Sequence, residues 1–196
     1  MLFRSNTVTR GTDFNNVIGG AINVSQDGTG LLVLGGANTY TGTTSVNSGT
    51  LQVGNGLTSG SLSTSSVITG SARATLSFKR SNTVTQGTDF NSVIGGAMNV
   101  SQDGSGTLVL NGANTYTGTT RLTTGVVRVD SAETAGTSGP LGNSAAANPG
   151  SIVLAGGTLQ YSSSNTNDYS GRFSTAASQQ YNVDTNGQNV TWGTGL

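Results

Sequence analysis

The sequence predicts an all-β chain: a single β-solenoid of the parallel β-helix type, with three short strands per coil. Three observations carry this reading. The first is an internal repeat. Arg4 to Thr44 realigns on Arg80 to Thr120 with a shift of 76 positions and no gap, and 35 of those 41 positions are identical. Equivalent residues of two such copies can stack over one another, which suits a solenoid better than a sandwich. The second is alternation in short runs. Leu51 and Val53 fall on one side of a strand and Gln52 on the other, and Val127 and Val129 oppose Arg128 in the same way. The third is punctuation: GG, DG, NG and SG pairs interrupt the runs every few residues.

Taken in order, the extended runs begin at Asn6–Thr9, Asn16–Ile18 and Ala21–Val24. Leu32–Leu34, Thr44–Val46 and Leu51–Val53 follow, then Ser66–Thr69 and Ala74–Phe78. The second copy supplies Leu108–Leu110, Thr120–Leu122 and Val127–Val129. Thr and Val suit the flat faces, and Gly and Ser suit tight corners. The predicted core is Leu32, Leu34, Leu51, Val53, Leu108, Leu110, Val127 and Val129, with Gln52 and Arg128 turned to solvent. The Ala-rich stretch 132–147 is broken by Gly136, Gly139, Pro140 and Gly142 and reads as a projecting loop. Beyond it, Ser151–Leu154, Thr158–Tyr161, Arg172–Phe173, Tyr181–Val183 and Asn189–Trp192 continue the pattern. The chain 1–196 is thus one unit: repeat block 4–79, a second partial copy 80–129, a projecting loop 130–149 and further coils 150–196.

Composition narrows the chemistry. Net charge is zero, so nothing marks a nucleic-acid or anionic-membrane surface. With no Cys there are no disulfides or thiolate metal sites, and with no His no imidazole triad or imidazole metal site. No cofactor is expected. MLFRSNTVTR is no signal peptide, so any export address is expected outside these residues.

GTLVLNGANTYTGTTRLTTGVVRV (Gly106 to Val129) and GLLVLGGANTYTGTTSVNSGTLQV (Gly30 to Val53) resemble the autotransporter passenger-associated β-strand repeat. The tail from Gly156 to Trp192 is similar to a segment that accompanies this repeat in large bacterial surface proteins. The resemblance implies a right-handed, single-stranded parallel β-helix, export through an outer membrane, and display at the surface or release. It also implies a membrane β-barrel translocator, expected in the parent protein and not in this chain.

Candidate sites are few. SQDGTG at Ser25–Gly30, SQDGSG at Ser101–Gly106 and DTNG at Asp184–Gly187 could be Ca²⁺ loops. A single carboxylate each is too few for six to eight oxygen ligands. Asp27 and Asp103 read better as turn starters, with Gly28 and Gly104 at positive φ. Tyr40 and Tyr116 could form a sugar platform, but Asn38-Thr39-Tyr40 and Asn114-Thr115-Tyr116 read better as corner Asn and stacked Tyr. The carboxylate pairs open to glycoside chemistry are Asp13/Asp89, Asp27/Asp103, Asp130/Glu133 and Asp168/Asp184. The first two are copies several coils apart. Asp130 and Glu133 with Arg128 are the least poor lyase-like guess, and a solvated loop is the simpler reading. Lys79-Arg80 reads as solvated.

No catalytic, cofactor-binding or metal site is therefore predicted. The expected role is a rigid stalk, spacer or adhesive surface with a possible glycan or protein ligand. The rivals are a glycan-binding module and a polysaccharide-degrading β-helix enzyme. Neither MLFRSNTV nor VTWGTGL reads as a polar cap, so end-to-end self-association is also expected.

Overall fold

Alternating runs of three or four residues produce short strands, and the chain stacks them in parallel. The structure is a computed structural model that describes residues 2–3 (backbone only), 17–91, 93–143 and 149–195. The expected strand at Asn6–Thr9 and the carboxylate of Asp13 lie outside the described residues. The strands are β1 (Leu2–Phe3), β2 (Val24–Gln26), β3 (Leu31–Leu34), β4 (Thr44–Val46), β5 (Thr50–Val53), β6 (Ile68–Gly70) and β7 (Thr75–Phe78). There follow β8 (Val84–Thr85), β9 (Asn99–Gln102), β10 (Thr107–Leu110), β11 (Thr120–Leu122), β12 (Val126–Val129), β13 (Ile152–Gln160) and β14 (Gln180–Asp184). Among the described residues the only helical element is a 3₁₀ turn at Ser170–Arg172. It replaces the strand expected at Arg172–Phe173, and Asn189–Trp192 forms no strand either.

Every pairing between these strands is parallel, and the strands fall into three stacks. The first holds β1, β2, β4 and β6, and a bridge from Ile68 to Ile94 extends it. The second runs β3, β5, β7, β9, β11 and the first half of β13. The third runs β8, β10, β12, the second half of β13, and β14. Thr158–Tyr161 and Ser151–Leu154 were expected as separate strands; they merge into β13, which crosses from stack two to stack three. Its register shifts between Ala155 and Thr158, where Gly156 takes φ 127. A side chain there would strain that backbone, so glycine lets one strand serve two stacks.

In-register pairing turns alternation into rows. Leu32, Leu51, Leu76, Val100, Thr120 and Ile152 are successive partners along stack two, and all six are buried. Leu34, Val53, Phe78, Gln102, Leu122 and Leu154 form the second buried row. Burying each such aliphatic contributes about 1.5–3 kcal/mol. All eight predicted core residues are buried. Gln52 and Arg128 are half-exposed rather than fully exposed. Alternation also places Val33 and Val109 outward, yet they are only 5% and 7% exposed. Gln52 pairs with Val33 and Arg128 with Val109. At strand spacing, their aliphatic stems stand over the valines, while the Gln52 amide donates to Gly54 O and Arg128 reaches Asp130.

Three features differ from expectation. First, three strands per coil are realised as two strands and a third side of bridges and turns in the early coils, where Ala37 bridges to Ser61. Second, the stretch after β12 does not simply project. Pro140, Leu141 and Gly142 are buried, and Gly139 bridges back to Asn114. Third, the two sequence copies do not present like faces along the axis. β2 and β4 lie in stack one, whereas their copies β9 and β11 lie in stack two. Likewise β3 and β5 lie in stack two and their copies β10 and β12 in stack three.

Candidate functional site

The SQDG corners close on themselves. Gln26 and Gln102 are buried, and each donates Nε2 to two turn carbonyls: Gly28 and Gly30 at 2.9 and 3.0 Å, Gly104 and Gly106 at 3.0 and 3.0 Å. Asp27 Oδ1 accepts from Ser25 Oγ (2.7 Å) and Asn47 Nδ2 (2.6 Å). Asp103 accepts from Ser101 Oγ (2.8 Å) and Ser77 Oγ (2.6 Å). Both carboxylates face hydroxyl and amide donors of their own and neighbouring coils, the environment of a turn bracket. Gly28 and Gly104 do not take the positive φ expected of them. It falls on Gly49 (φ 60) and Gly125 (φ 63) in the next coil. Gly104 is needed instead because a Cβ there would collide with the Arg80 backbone.

The NTY corners are interior. Asn38 Oδ1 accepts from Ile18 N–H (3.0 Å), and its amide donates to Gly36 and Ser61 carbonyls (3.1 and 2.7 Å). Asn114 repeats the motif, accepting from Ile94 N–H (2.8 Å) and donating to Pro140 O (3.0 Å). Each Asn thus ties successive coils through backbone groups that would otherwise be buried without partners. Tyr40 and Tyr116 are fully buried, with their hydroxyls bonded to Thr44 Oγ1 (2.5 Å) and Thr120 Oγ1 (2.7 Å). Neither ring can serve as a sugar platform. Burial pushes the Tyr40 hydroxyl up and the Tyr116 hydroxyl up to about 12.

Two arginines that the sequence did not mark as site residues are structural. Lys79 is exposed as expected, but Arg80 is buried, pairing with Asp89 (2.9 Å) and donating to Gly60 O (2.9 Å) and Asn82 (2.9 Å). Arg172 was not singled out at all, because no repeat marks it. It pairs with Glu133 at 3.2 Å, with side chains 10% and 8% exposed. It also donates to Ser151 Oγ (3.1 Å) and Leu141 O (2.6 Å) and lies over the Tyr169 ring. It therefore fastens the excursion after β12 to the stacks.

In the three carboxylate pairs that lie within the described residues, each carboxylate has its own partners. Asp130 pairs with Arg128 at 3.3 Å while Glu133 turns to Arg172. Glu133 instead shares an open cleft of about 330 Å³ with Asn167, Asp168 and Arg172. Burial alone would raise the Asp168 carboxyl, but hydrogen bonds from the Ser170 hydroxyl and the Gly193 and Ser170 amides hold it below the usual range. Gln160 and the Asn186 amide lower Asp184 in the same direction. Asp184 closes the turn in which Asn186 (φ 51) and Gly187 (φ 73) both take left-handed backbone.

What remains distinctive is the repeated corner-and-strand segment itself. Residues 24–53 and 100–129 each match the Passenger-associated-transport-repeat. The chain matches this transport repeat twice. Each match opens on a buried Gln corner and closes on a buried Leu-x-Val or Val-x-Val strand. Over 181 residues the chain is also 40% identical to the "Adhesin BmaC autotransporter" of Brucella suis biovar 1 (strain 1330). That match covers 77% of this chain and 5% of that protein, so the chain corresponds to a small part of its relative. No solved structure matches it. The chain therefore resembles autotransporter passenger repeat proteins.

Proposed function

We propose that this chain is a stretch of an exported passenger, displayed at the bacterial surface or released. There it acts as a rigid spacer or adhesive wall. In this reading the three stacks are the walls of a closed right-handed β-solenoid, and an outer-membrane β-barrel elsewhere in the parent protein carries it across. The observation that carries the reading is the pair of transport-repeat matches, built of parallel strands throughout and joined through stack two, where β3 and β5 of one match are followed by β7 and then β9 and β11 of the other. The adhesin name of the relative supports surface contact with a glycan or protein.

The cleft chemistry supports a non-enzymatic role. A general acid needs a raised carboxyl pKa, yet Asp168 is held low by three donors. Glu133 is committed to its ion pair with Arg172. Polysaccharide cleavage thus draws little support from the two acids that meet.

The test is display. The chain, placed between a signal peptide and an outer-membrane translocator barrel, should become accessible to antibody on intact cells while resisting external protease. Retention inside the cell, or full digestion on arrival, overturns the passenger reading. Adherence of displaying cells to glycan or protein surfaces then separates adhesive wall from spacer.

A further inference from the structure

The repeat length and the coil length do not match. Stack one advances from Val24 to Thr44 to Ile68 to Ile94, in steps of 20, 24 and 26 residues. Three coils therefore consume 70 residues, and the sequence unit of 76 runs six residues further. Those six carry the chain from the side holding Ile94 to the next side, where Val100, the copy of Val24, pairs with Leu76 and Thr120. Four strands of the second copy, β9 to β12, show the same advance over their first-copy counterparts β2 to β5, from stack one to two or from two to three.

We infer that the 76-residue unit is a phase-shifting module: each copy adds three coils and one side, so it turns a closely similar set of strands and corners by one side of the rod. The inference rests on the stacked-rod reading above. The corners do repeat. Asn23 and Asn99 cap the Thr43 and Thr119 amides alike, at 2.8 and 2.9 Å, and the buried Gln26 and Gln102 close their turns alike. Any partner reading those corners meets them twice, from two directions. A parent protein that gains or loses one unit changes its length and also re-aims everything beyond the insertion. Three units restore the starting side after about ten coils.

Cysteine pairs sharing Thr75→Cys test this. Parallel neighbours lie within disulfide range, at roughly 5 Å between Cα atoms. Thr50 and Asn99 flank Thr75 in stack two, whereas side-for-side stacking of the copies would put Thr107 where Asn99 stands. After mild oxidation and peptide mapping by mass spectrometry, Thr50→Cys and Asn99→Cys should each cross-link with Thr75→Cys, and Thr107→Cys should not. Closure with Thr107→Cys, or with neither Asn99→Cys nor Thr107→Cys while Thr50→Cys still closes, overturns the phase shift and leaves the rod standing. Failure of Thr50→Cys overturns the rod and the inference together. Because Asn99→Cys removes an amide cap, Ser77→Cys with Ser101→Cys repeats the measurement without that loss and should also close.

Discussion

Leu110 shows how one side chain holds a coil. It is fully buried and pairs with Val129 of the following coil. Leu110→Ala should destabilise the chain by about 2–5 kcal/mol in equilibrium denaturant unfolding, because neighbours in a stack relax little into the space left. The buried tyrosines set a pH limit. Burial raises the Tyr116 and Tyr161 hydroxyls to about 12 and pushes Tyr169 up further. An unfolded tyrosine ionises near pH 10, so the stability these groups carry is complete below about pH 10. It is lost as pH rises from about 10 toward 12, where the unfolded chain releases protons that the folded chain keeps. Melting temperature should be flat through neutral pH and fall steeply above about pH 10. Tyr116→Phe should flatten part of that fall. At this scale the sequence was legible wherever burial follows alternation, as at Leu108, Leu110, Val127 and Val129. It was not legible at Val109, whose cover comes from a neighbouring strand's Arg128. Nor was it legible at Arg172, whose partner Glu133 lies 39 positions away.

At the scale of strands and turns, glycines differ in what they hold. Gly125 has φ 63, and a Cβ there would press on the Gly104 and Gly106 carbonyls of the preceding coil. Gly187 has φ 73, with open space around it. Gly187→Ala should cost about 1 kcal/mol, the strain of left-handed backbone alone. Gly125→Ala should cost clearly more, since a coil must also move. Paired thermal melts of the two variants check the order. Strand positions were read from the sequence to within a residue or two from β3 to β7 and again from β10 to β12, because short alternating runs between turn pairs leave little choice. The misreadings have local causes. Ser170–Arg172 winds into a 3₁₀ turn around the Asp168 carboxylate, which accepts from both Ser170 donors. The corner positive φ belongs to the NSG and TTG turns rather than the DG turns, because the buried Gln already closes the latter.

At the scale of the whole molecule, one buried ion pair ties the stretch after β12 to the stacks. Arg172→Ala leaves the Glu133 carboxylate buried without its cation, and should destabilise the chain by about 3–5 kcal/mol. Replacing Arg172 and Glu133 together with Leu should recover much of that, as chemical denaturation of the three chains will show. The stacked all-β architecture was legible in the sequence, since a gapless repeat with alternating runs fits few others. The shift of the copies between stacks was not. Identical residues form identical strands, but the side on which a strand lands depends on the summed length of every coil before it, and the corners that set those lengths vary.

Each coil of this chain touches chiefly the coil before and the coil after, 20 to 26 residues away along stack one. Under tension such a structure has no single clasp. Pulled from its ends, it should yield one coil at a time, each release lengthening the chain by about 70–90 Å at some 3.5 Å per extended residue. A force–extension trace would then be a sawtooth whose period reads out the coil length. A single large rupture would mean that distant coils are tied together more tightly than neighbours. A tether of this kind absorbs a sudden load by paying out slack in small measures and can rewind each one when the load passes.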